Sequence, residues 1–268
     1  MNSNLRMIVA GGGTGGHFFP AQAICKSLLK KDVEIKYMGS KFGIEANYSI
    51  NNDIEIILLN IRGIQRHVNI NSFLKNTLFP IKFIQSYFKS IKIINDFNPH
   101  VVIGTGGYSS GLPLIAAIHK GIKTVIQEQN SYPGITTRKL ERKVDKICIS
   151  FNQTKNYLKN NNTILTGNPI RSNIQLIDKN EAKQSYQFNL KKPVIGILGG
   201  SQGSSPFNDH FQNYLHKYTN LNIQLIWQTG EKDFSNLKSL NKINGIQIMA
   251  FIENMNNFYS ASDIIISR

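Results

Sequence analysis

Along this chain, short runs of apolar and β-branched residues alternate with longer stretches in which apolar positions recur every three or four residues. The short runs predict strands at Arg6–Ala10, Glu34–Met38, Ile54–Asn60, His100–Gly104, Thr124–Gln127, Lys146–Ser150, Thr163–Thr166, Val194–Leu198, Gln224–Gln228, Gly245–Ala250 and Asp263–Ser267. Helix-length segments lie between most of them. That rhythm predicts an α/β protein with parallel sheets, because parallel neighbours need a crossover and a helix usually provides it. The strands are too many for one ordinary doubly wound sheet and suit two. The polar, Asn- and Lys-rich stretch within Gly167–Lys192 is the expected break, which assigns residues 1–166 and 167–268 to separate domains. "RMIVAGGGTGGH" and "VIGILGGSQGSS" both read as strand, glycine loop and helix, as a duplicated pair of Rossmann-like halves would.

A length of 268 residues with 41% hydrophobic content is enough for two real cores. Cys25 and Cys148 stand far apart with no ligand-like spacing, so neither a disulfide framework nor a zinc site is expected, and a reducing cytoplasm fits best. No apolar run approaches the roughly 20 residues of a membrane span, and the first residues lack the apolar core of a signal peptide. The net charge of +15 is high. It suits solubility, and it also suits an anionic partner, nucleic acid or an acidic membrane surface. No stacking motif or recognition helix accompanies the charge, so nucleic acid is not the expected partner.

Three glycine loops follow predicted strands. The first holds Gly11-x-Gly13-x-x-Gly16, a dinucleotide fingerprint that on its own is weak. The second strand ends in Met38-Gly39-Ser40-Lys41-Phe42, without the carboxylate that would grip a nicotinamide ribose, which argues against NAD and leaves NADP open only through Lys41. The second loop is "GTGGYSSGLP" from Gly104, and the third is "GGSQGSS" from Gly199. Successive glycines let several amides face one anion, and the helix N-terminus behind them adds its positive end.

His17 is expected in the first helical turn after the first loop, where the positive helix end favours the neutral imidazole that a base needs. Glu128 and Asn130, in "QEQNSYPG", fall just past a strand end on the same rim of the sheet, where open α/β sheets bind ligands, although Glu128 equally suits a structural role, capping the next helix or pairing with Arg138. Arg171, in "GNPIR", also follows a strand, in a position to clamp phosphate. Between Arg62 and Lys92, Phe73, Leu74, Leu78, Phe79, Phe83, Ile84, Tyr87 and Phe88 recur at helical spacing among lysines. Such a basic amphipathic stretch suits either an ordinary core-facing helix or the surface of an anionic bilayer.

Taken in order, "GGGTGGHFFPA", "GTGGYSSGLP", "EQNSYPG", "GNPIR", "GGSQG" and "FIENM" resemble the MurG family of peptidoglycan glycosyltransferases, from about residue 6 to the last residue. The resemblance implies a GT-B fold, two Rossmann-like doubly wound domains facing a cleft. The first would serve the acceptor and the membrane, and the second would bind the UDP-sugar. It implies inverting transfer of N-acetylglucosamine from UDP-N-acetylglucosamine to the C4 hydroxyl of a lipid-linked muramyl-pentapeptide, at the cytoplasmic face of the inner membrane, with no cofactor and no metal. By that match Thr14, Gly15, Gly16, Asn130, Arg171, Ser201 and Ile252 are donor contacts, with Ile252 offering its backbone to the uracil. Gly106, Gly107 and Tyr108 form a loop for the acceptor diphosphate. His17 is the first candidate base and Glu128 the second. The other readings open at this point are another GT-B nucleotide-sugar transferase and a non-catalytic scaffold of the cell-wall machinery.

Two departures from the family stand out. Gln127 occupies a place where the family often has histidine, and the family runs on past "ASDIIISR", where this chain stops. The second domain is therefore expected to be incomplete, and binding of UDP-N-acetylglucosamine by this polypeptide alone to be weak or absent in a calorimetric titration.

Overall fold

The computed structural model describes residues 5–47, 50, 53–63, 79–159, 162–170, 174–200 and 202–267. The chain divides into two compact units, Met1–Arg171 and Ser172–Arg268. In the first, β1 (Arg6–Ala10), β2 (Glu34–Ser40), β3 (Glu55–Leu59), β4 (Val101–Gly104), β5 (Lys123–Glu128), β6 (Lys146–Ile149) and β7 (Thr163–Leu165) form one sheet. Its order is β3-β2-β1-β4-β5-β6-β7, and every pairing is parallel. The direction of winding reverses between β1 and β4, which makes the C-terminal ends of those two strands the switch point.

Side-chain alternation along β1 splits the interior of this unit into two layers. Ile8 and Ala10 point into the layer shared with Ile94 and Phe97 of α2 (Phe79–Phe97) and Leu112 and Ala116 of α3 (Tyr108–His119). Val9 points the other way, to Tyr37 and to Phe18, Ala21 and Cys25 of α1 (Gly15–Leu29). Each fully buried Ile, Leu, Val or Phe among them contributes about 1.5–3 kcal/mol, so the sheet is held from both faces. Burial also pushes the Cys25 thiol up to about 12, leaving it an inert packing group.

The second unit repeats the plan. Here β8 (Val194–Leu198), β9 (Gln224–Gln228), β10 (Ile246–Met249) and β11 (Ile264–Ser267) pair in parallel in the order β10-β9-β8-β11. Ile197, Leu225 and Trp227 pack on Phe211 of α6 (Ser205–Asn213), while Val194 and Ile226 pack on Ala182 of α5 (Lys179–Ser185) and Phe258 of α9 (Met255–Ala261). The Trp227 indole donates to Asn208 Oδ1 at 3.0 Å, which satisfies the one polar atom of the largest buried side chain.

Every strand expected from the sequence forms, and the ends differ by a residue or two. Ile54, His100, Gly245 and Asp263, expected inside strands, lie just before them. For two of the four the reason is a shared device. Instead of a backbone carbonyl, a side chain takes the first amide of a neighbouring strand: His100 Nδ1 accepts from Arg6 N at 3.0 Å, and Asp263 Oδ2 accepts from Val194 N at 2.8 Å. Asp145 takes the second amide of β5 in a similar way, Thr124 N at 2.9 Å.

Asp263 also receives Lys179 and lies 3.5 Å from the buried Lys183 ammonium. Burial raises its carboxyl pKa, but the hydrogen bonds from Lys179 and Val194 and the two ammonium charges outweigh it, and the net shift is downward. A depressed carboxylate contributes stability that is present above its ordinary value of 3.8 and is lost as pH falls through its folded value. Asp263→Asn is expected to cost about 2 kcal/mol at neutral pH, the scale of hydrogen bonds to a charged group. Denaturant unfolding should show that difference shrinking at acid pH.

The expected helix of the basic segment is described from Phe79 onward. Phe73, Leu74 and Leu78 lie outside the described residues. Helix α2 buries Ser86, Ser90, Ile94 and Phe97. Ile81, Ile84 and Phe88, spaced three and four apart, are 55%, 54% and 63% exposed. The side facing the protein carries Phe79, Tyr87 and Ile91 beside the buried Ser86 and Ser90, while Ile81, Ile84 and Phe88 face outward.

Candidate active site

At the switch point of the first unit, the loops after β1 and β4 interlock. A methyl group on Gly11 would stand 1.9 Å from Thr105 Oγ1, and one on Gly107 would stand 2.6 Å from the Gly12 carbonyl oxygen. Gly106 and Gly107 have φ of 103° and 77°, left-handed values that place Tyr108 and Ser109 at the start of α3. The glycines serve close packing of two loops as much as exposure of amides.

Between the loops stands His17, in the first turn of α1 as expected. Its Nδ1 lies 2.9 Å from the Thr105 carbonyl oxygen and 3.1 Å from Gln129 Oε1. Thr105 returns a hydrogen bond from Oγ1 to the His17 carbonyl at 2.8 Å. Both partners of Nδ1 are acceptors, so Nδ1 carries a proton. Thr14 caps α1 by its backbone while its hydroxyl makes no capping bond, Gly15 is buried against Phe19, and Gly16 is exposed.

The sequence suggested no carboxylate near this loop, but the fold brings one. Glu45, 1% exposed in the 3-10 turn Ile44–Ala46, accepts from Gly13 N at 2.8 and 3.1 Å and from Ser40 N at 2.7 Å. The expectation that this loop's amides are free for an anion is thereby corrected at Gly13, whose N–H is already used. Tyr37, held a neutral donor by burial and by the Glu45 charge, donates to the Gly11 carbonyl at 2.6 Å. The loop is braced from beneath by two side chains.

Beside it opens a pocket of about 480 Å³. Gly13, Thr14, His17, Arg62, Tyr108 and Ser109 are among its walls. Ser109 is 2% exposed at the N-terminus of α3, and its hydroxyl has no partner. The Arg62 guanidinium lies 4.7 Å over the Phe42 ring and the Lys82 ammonium 5.8 Å over the same ring. A helix N-terminus, an unused hydroxyl and the Arg62 cation in the pocket wall, with Lys82 behind Phe42, suit an anion.

Glu128 sits at the end of β5 but is only 3% exposed. One oxygen accepts from Asn130 N at 3.1 Å and Asn130 Nδ2 at 2.9 Å, and the other from Gly134 N at 2.9 Å and Thr137 Oγ1 at 2.5 Å. The carboxylate therefore ties down the loop from Gln129 to Gly134, with Asn130 exposed at its surface and its carbonyl taking Thr154 Oγ1 at 3.0 Å.

In the second unit the turn after β8 packs tightly on the turn after β9. A methyl on Gly203 would stand 1.9 Å from the Thr229 carbonyl oxygen. Gln228 joins this turn to "FIENM": its Nε2 donates to the Gly200 carbonyl at 2.8 Å and its Oε1 accepts from Ile252 N at 2.8 Å. Ile252 is buried, and the expectation that it offers its backbone to the uracil is corrected for the amide, which Gln228 already holds. Arg171 and Ser201 lie outside the described residues. Gln129, Glu45, Arg62 and Gln228 are the residues that motif reading passed over. Of these, only Gln129 lay within a quoted motif of the resemblance.

Two Rossmann-type sheets in succession, each with glycine loops at the C-terminal ends of its strands, define the GT-B class of glycosyltransferase architecture. Residues 7–149 match the glycosyltransferase family 28 N-terminal domain and residues 194–268 the glycosyltransferase family 28 C-terminal domain. The chain belongs to glycosyltransferase family 28.

It is 39% identical over 267 residues to the UDP-N-acetylglucosamine–N-acetylmuramyl-(pentapeptide) pyrophosphoryl-undecaprenol N-acetylglucosamine transferase of Flavobacterium psychrophilum, covering 98% of this chain and 72% of that protein. The protein of the same name from Christiangramia forsetii is 39% identical over 272 residues, covering 100% of this chain and 73% of its own length. Among solved structures, Acinetobacter baumannii MurG superimposes with a TM-score of 0.68 at 25% identity, over 98% of this chain and 71% of that one. S. aureus MnaA, solved with UDP, shares the fold with a TM-score of 0.67 at 14% identity.

Proposed function

We propose that this chain serves the transfer of N-acetylglucosamine from UDP-N-acetylglucosamine to the C4 hydroxyl of a lipid-linked muramyl-pentapeptide, with His17 as the base. The observation that carries the proposal is the His17 ring, whose Nδ1 faces two acceptors while the imidazole lines the anion pocket. Nε2 takes the proton of the acceptor hydroxyl as that oxygen bonds to the anomeric carbon. The bond from the anomeric carbon to the diphosphate breaks on the opposite face, and UDP leaves with the electron pair, so the centre inverts. Glu128, with both oxygens occupied by four donors, holds the loop that bears Asn130 and is not the base.

Gly106, Gly107 and Tyr108 hold the acceptor diphosphate together with the Ser109 hydroxyl, Arg62 and Lys82. Thr14, Gly15, Gly16, Asn130, Arg171, Ser201 and Ile252 meet the donor, in keeping with the family resemblance of their motifs. Residues 1–166 take the acceptor and residues 167–268 the nucleotide. Incubating the chain with a lipid-linked muramyl acceptor and labelled donor at several millimolar, above the ordinary KM range of about 1 μM–1 mM, should yield labelled lipid. A folded chain that yields none ends the proposal.

The acceptor's lipid places the reaction at the cytoplasmic face of the inner membrane. No helix among the described residues is long and apolar enough to cross it, and the exposed Ile81, Ile84 and Phe88 with the neighbouring Lys82 and Lys92 offer peripheral contact instead. Phe88→Asp is expected to weaken co-sedimentation with anionic phospholipid vesicles by about tenfold, through lost apolar burial and an added like charge. Equal binding to neutral and anionic vesicles would contradict this contact.

A further inference from the structure

We propose that Gln129 is a positioning residue for His17: its side-chain amide, itself held by Gln127 and the Thr105 carbonyl, keeps the imidazole proton on Nδ1 and leaves the Nε2 lone pair facing the acceptor. The functional meaning of this device rests on His17 being the base; the device itself does not. Gln129 Oε1 lies 3.1 Å from His17 Nδ1, beside the Thr105 carbonyl oxygen at 2.9 Å. The orientation of the amide is fixed by what surrounds its nitrogen. Nε2 of Gln129 meets only acceptors: Thr105 O at 2.6 Å, Gln127 O at 3.2 Å and Gln127 Oε1 at 2.5 Å. Turning the amide round would set oxygen against those three oxygens and an N–H against the imidazole N–H.

Gln127 is fixed in the same way. It is buried, and its Nε2 donates to Ser150 Oγ at 3.2 Å, with Asn168 Oδ1 at 3.5 Å. Ser150 Oγ in turn donates to the Glu128 carbonyl at 2.9 Å, so its own hydrogen is committed. A line of amides, Asn168, Gln127 and Gln129, thus connects "GNPIR" and "EQN" to the imidazole behind the first glycine loop. None of the three ionises, so the line transmits orientation and carries no proton. Removing its last member leaves the Thr105 carbonyl as the single acceptor at Nδ1, and that carbonyl loses the donor that now aligns it.

The test is the protonation pattern of the His17 ring in the full 268-residue chain, labelled with 15N-histidine. Long-range 1H–15N correlation is recorded at about pH 8.5, above the unperturbed histidine range. The chain has 6 histidines, and the His17 signals are those lost in His17→Gln. In the unmodified chain Nδ1 should be the protonated nitrogen. In Gln129→Met, which keeps the side chain's length and removes its polar atoms, the ratio of Nδ1-protonated to Nε2-protonated ring should fall by about fivefold, the loss of one neutral hydrogen bond.

Gln129→Asn keeps an amide but cannot reach the ring, and should show the same fall if the Met variant does not fold. A ring protonated on Nε2 in the unmodified chain overturns the proposal, as does an unchanged ratio in either variant that folds. Should His17→Ala retain full transfer activity, the base reading fails while the tautomer result still decides the role of Gln129.

Discussion

His17→Ala is expected to lower the rate of sugar transfer by about 10²–10⁴-fold, the range that a positioned general base supplies. The loss should fall on kcat, with the KM for the nucleotide sugar little changed, because the imidazole acts on the acceptor hydroxyl as it is deprotonated. Structure is expected to survive. His17 is half-buried, and after truncation the Thr105 carbonyl keeps its hydrogen bond from Gln129 Nε2. Steady-state transfer kinetics beside a thermal unfolding curve separate the two effects. A variant that keeps its melting profile and its rate would remove His17 from the chemistry.

Glu128 should behave in the opposite way. Glu128→Ala strips the acceptor from Gly134 N, Thr137 Oγ1 and both nitrogens of Asn130. Thr137 is buried and Gly134 half-buried, so at least two donors lose a partner where water reaches them poorly. At about 1–3 kcal/mol for each such group, the cost is about 4 kcal/mol, a large share of the roughly 5–15 kcal/mol that holds a domain together. Glu128→Gln keeps one acceptor oxygen and should cost about half as much. Denaturant titration is the decisive measurement. A carboxylate acting as base would show the reverse pattern, with a folded Gln variant of normal stability and a rate lower by orders of magnitude.

These two residues also show how far the sequence could be read. Both follow predicted strands, and the α/β rhythm correctly placed them near the C-terminal ends of parallel strands. The chain cannot say which way a side chain turns at the end of a strand buried on both faces, since apolar neighbours on either side erase the alternation signal. Glu128 turns into the protein and His17 stands at the pocket.

Glu45 was hidden for a different reason. A short turn after β2 carries it back under the first loop, so the acid absent from Met38–Phe42 arrives from beyond that stretch. Gln129 is 112 residues from the histidine it meets. Contacts of that separation follow from strand order, which local patterning does not encode. The strands themselves were legible because β-branched runs bounded by glycine and polar residues have few other solutions. What blurred their ends were side chains such as His100 and Asp263 standing in for backbone acceptors.

The fit of Gly11 against Thr105 and of Gly107 against the Gly12 carbonyl constrains the history of this chain as well as its shape. Each loop is the mould for the other, so drift in one is tolerated only when the other changes with it. Lineages descending from this sequence should exchange residues at these positions in matched pairs or not at all, and a hybrid gene taking one loop from a distant cousin should inherit a misfit between the two.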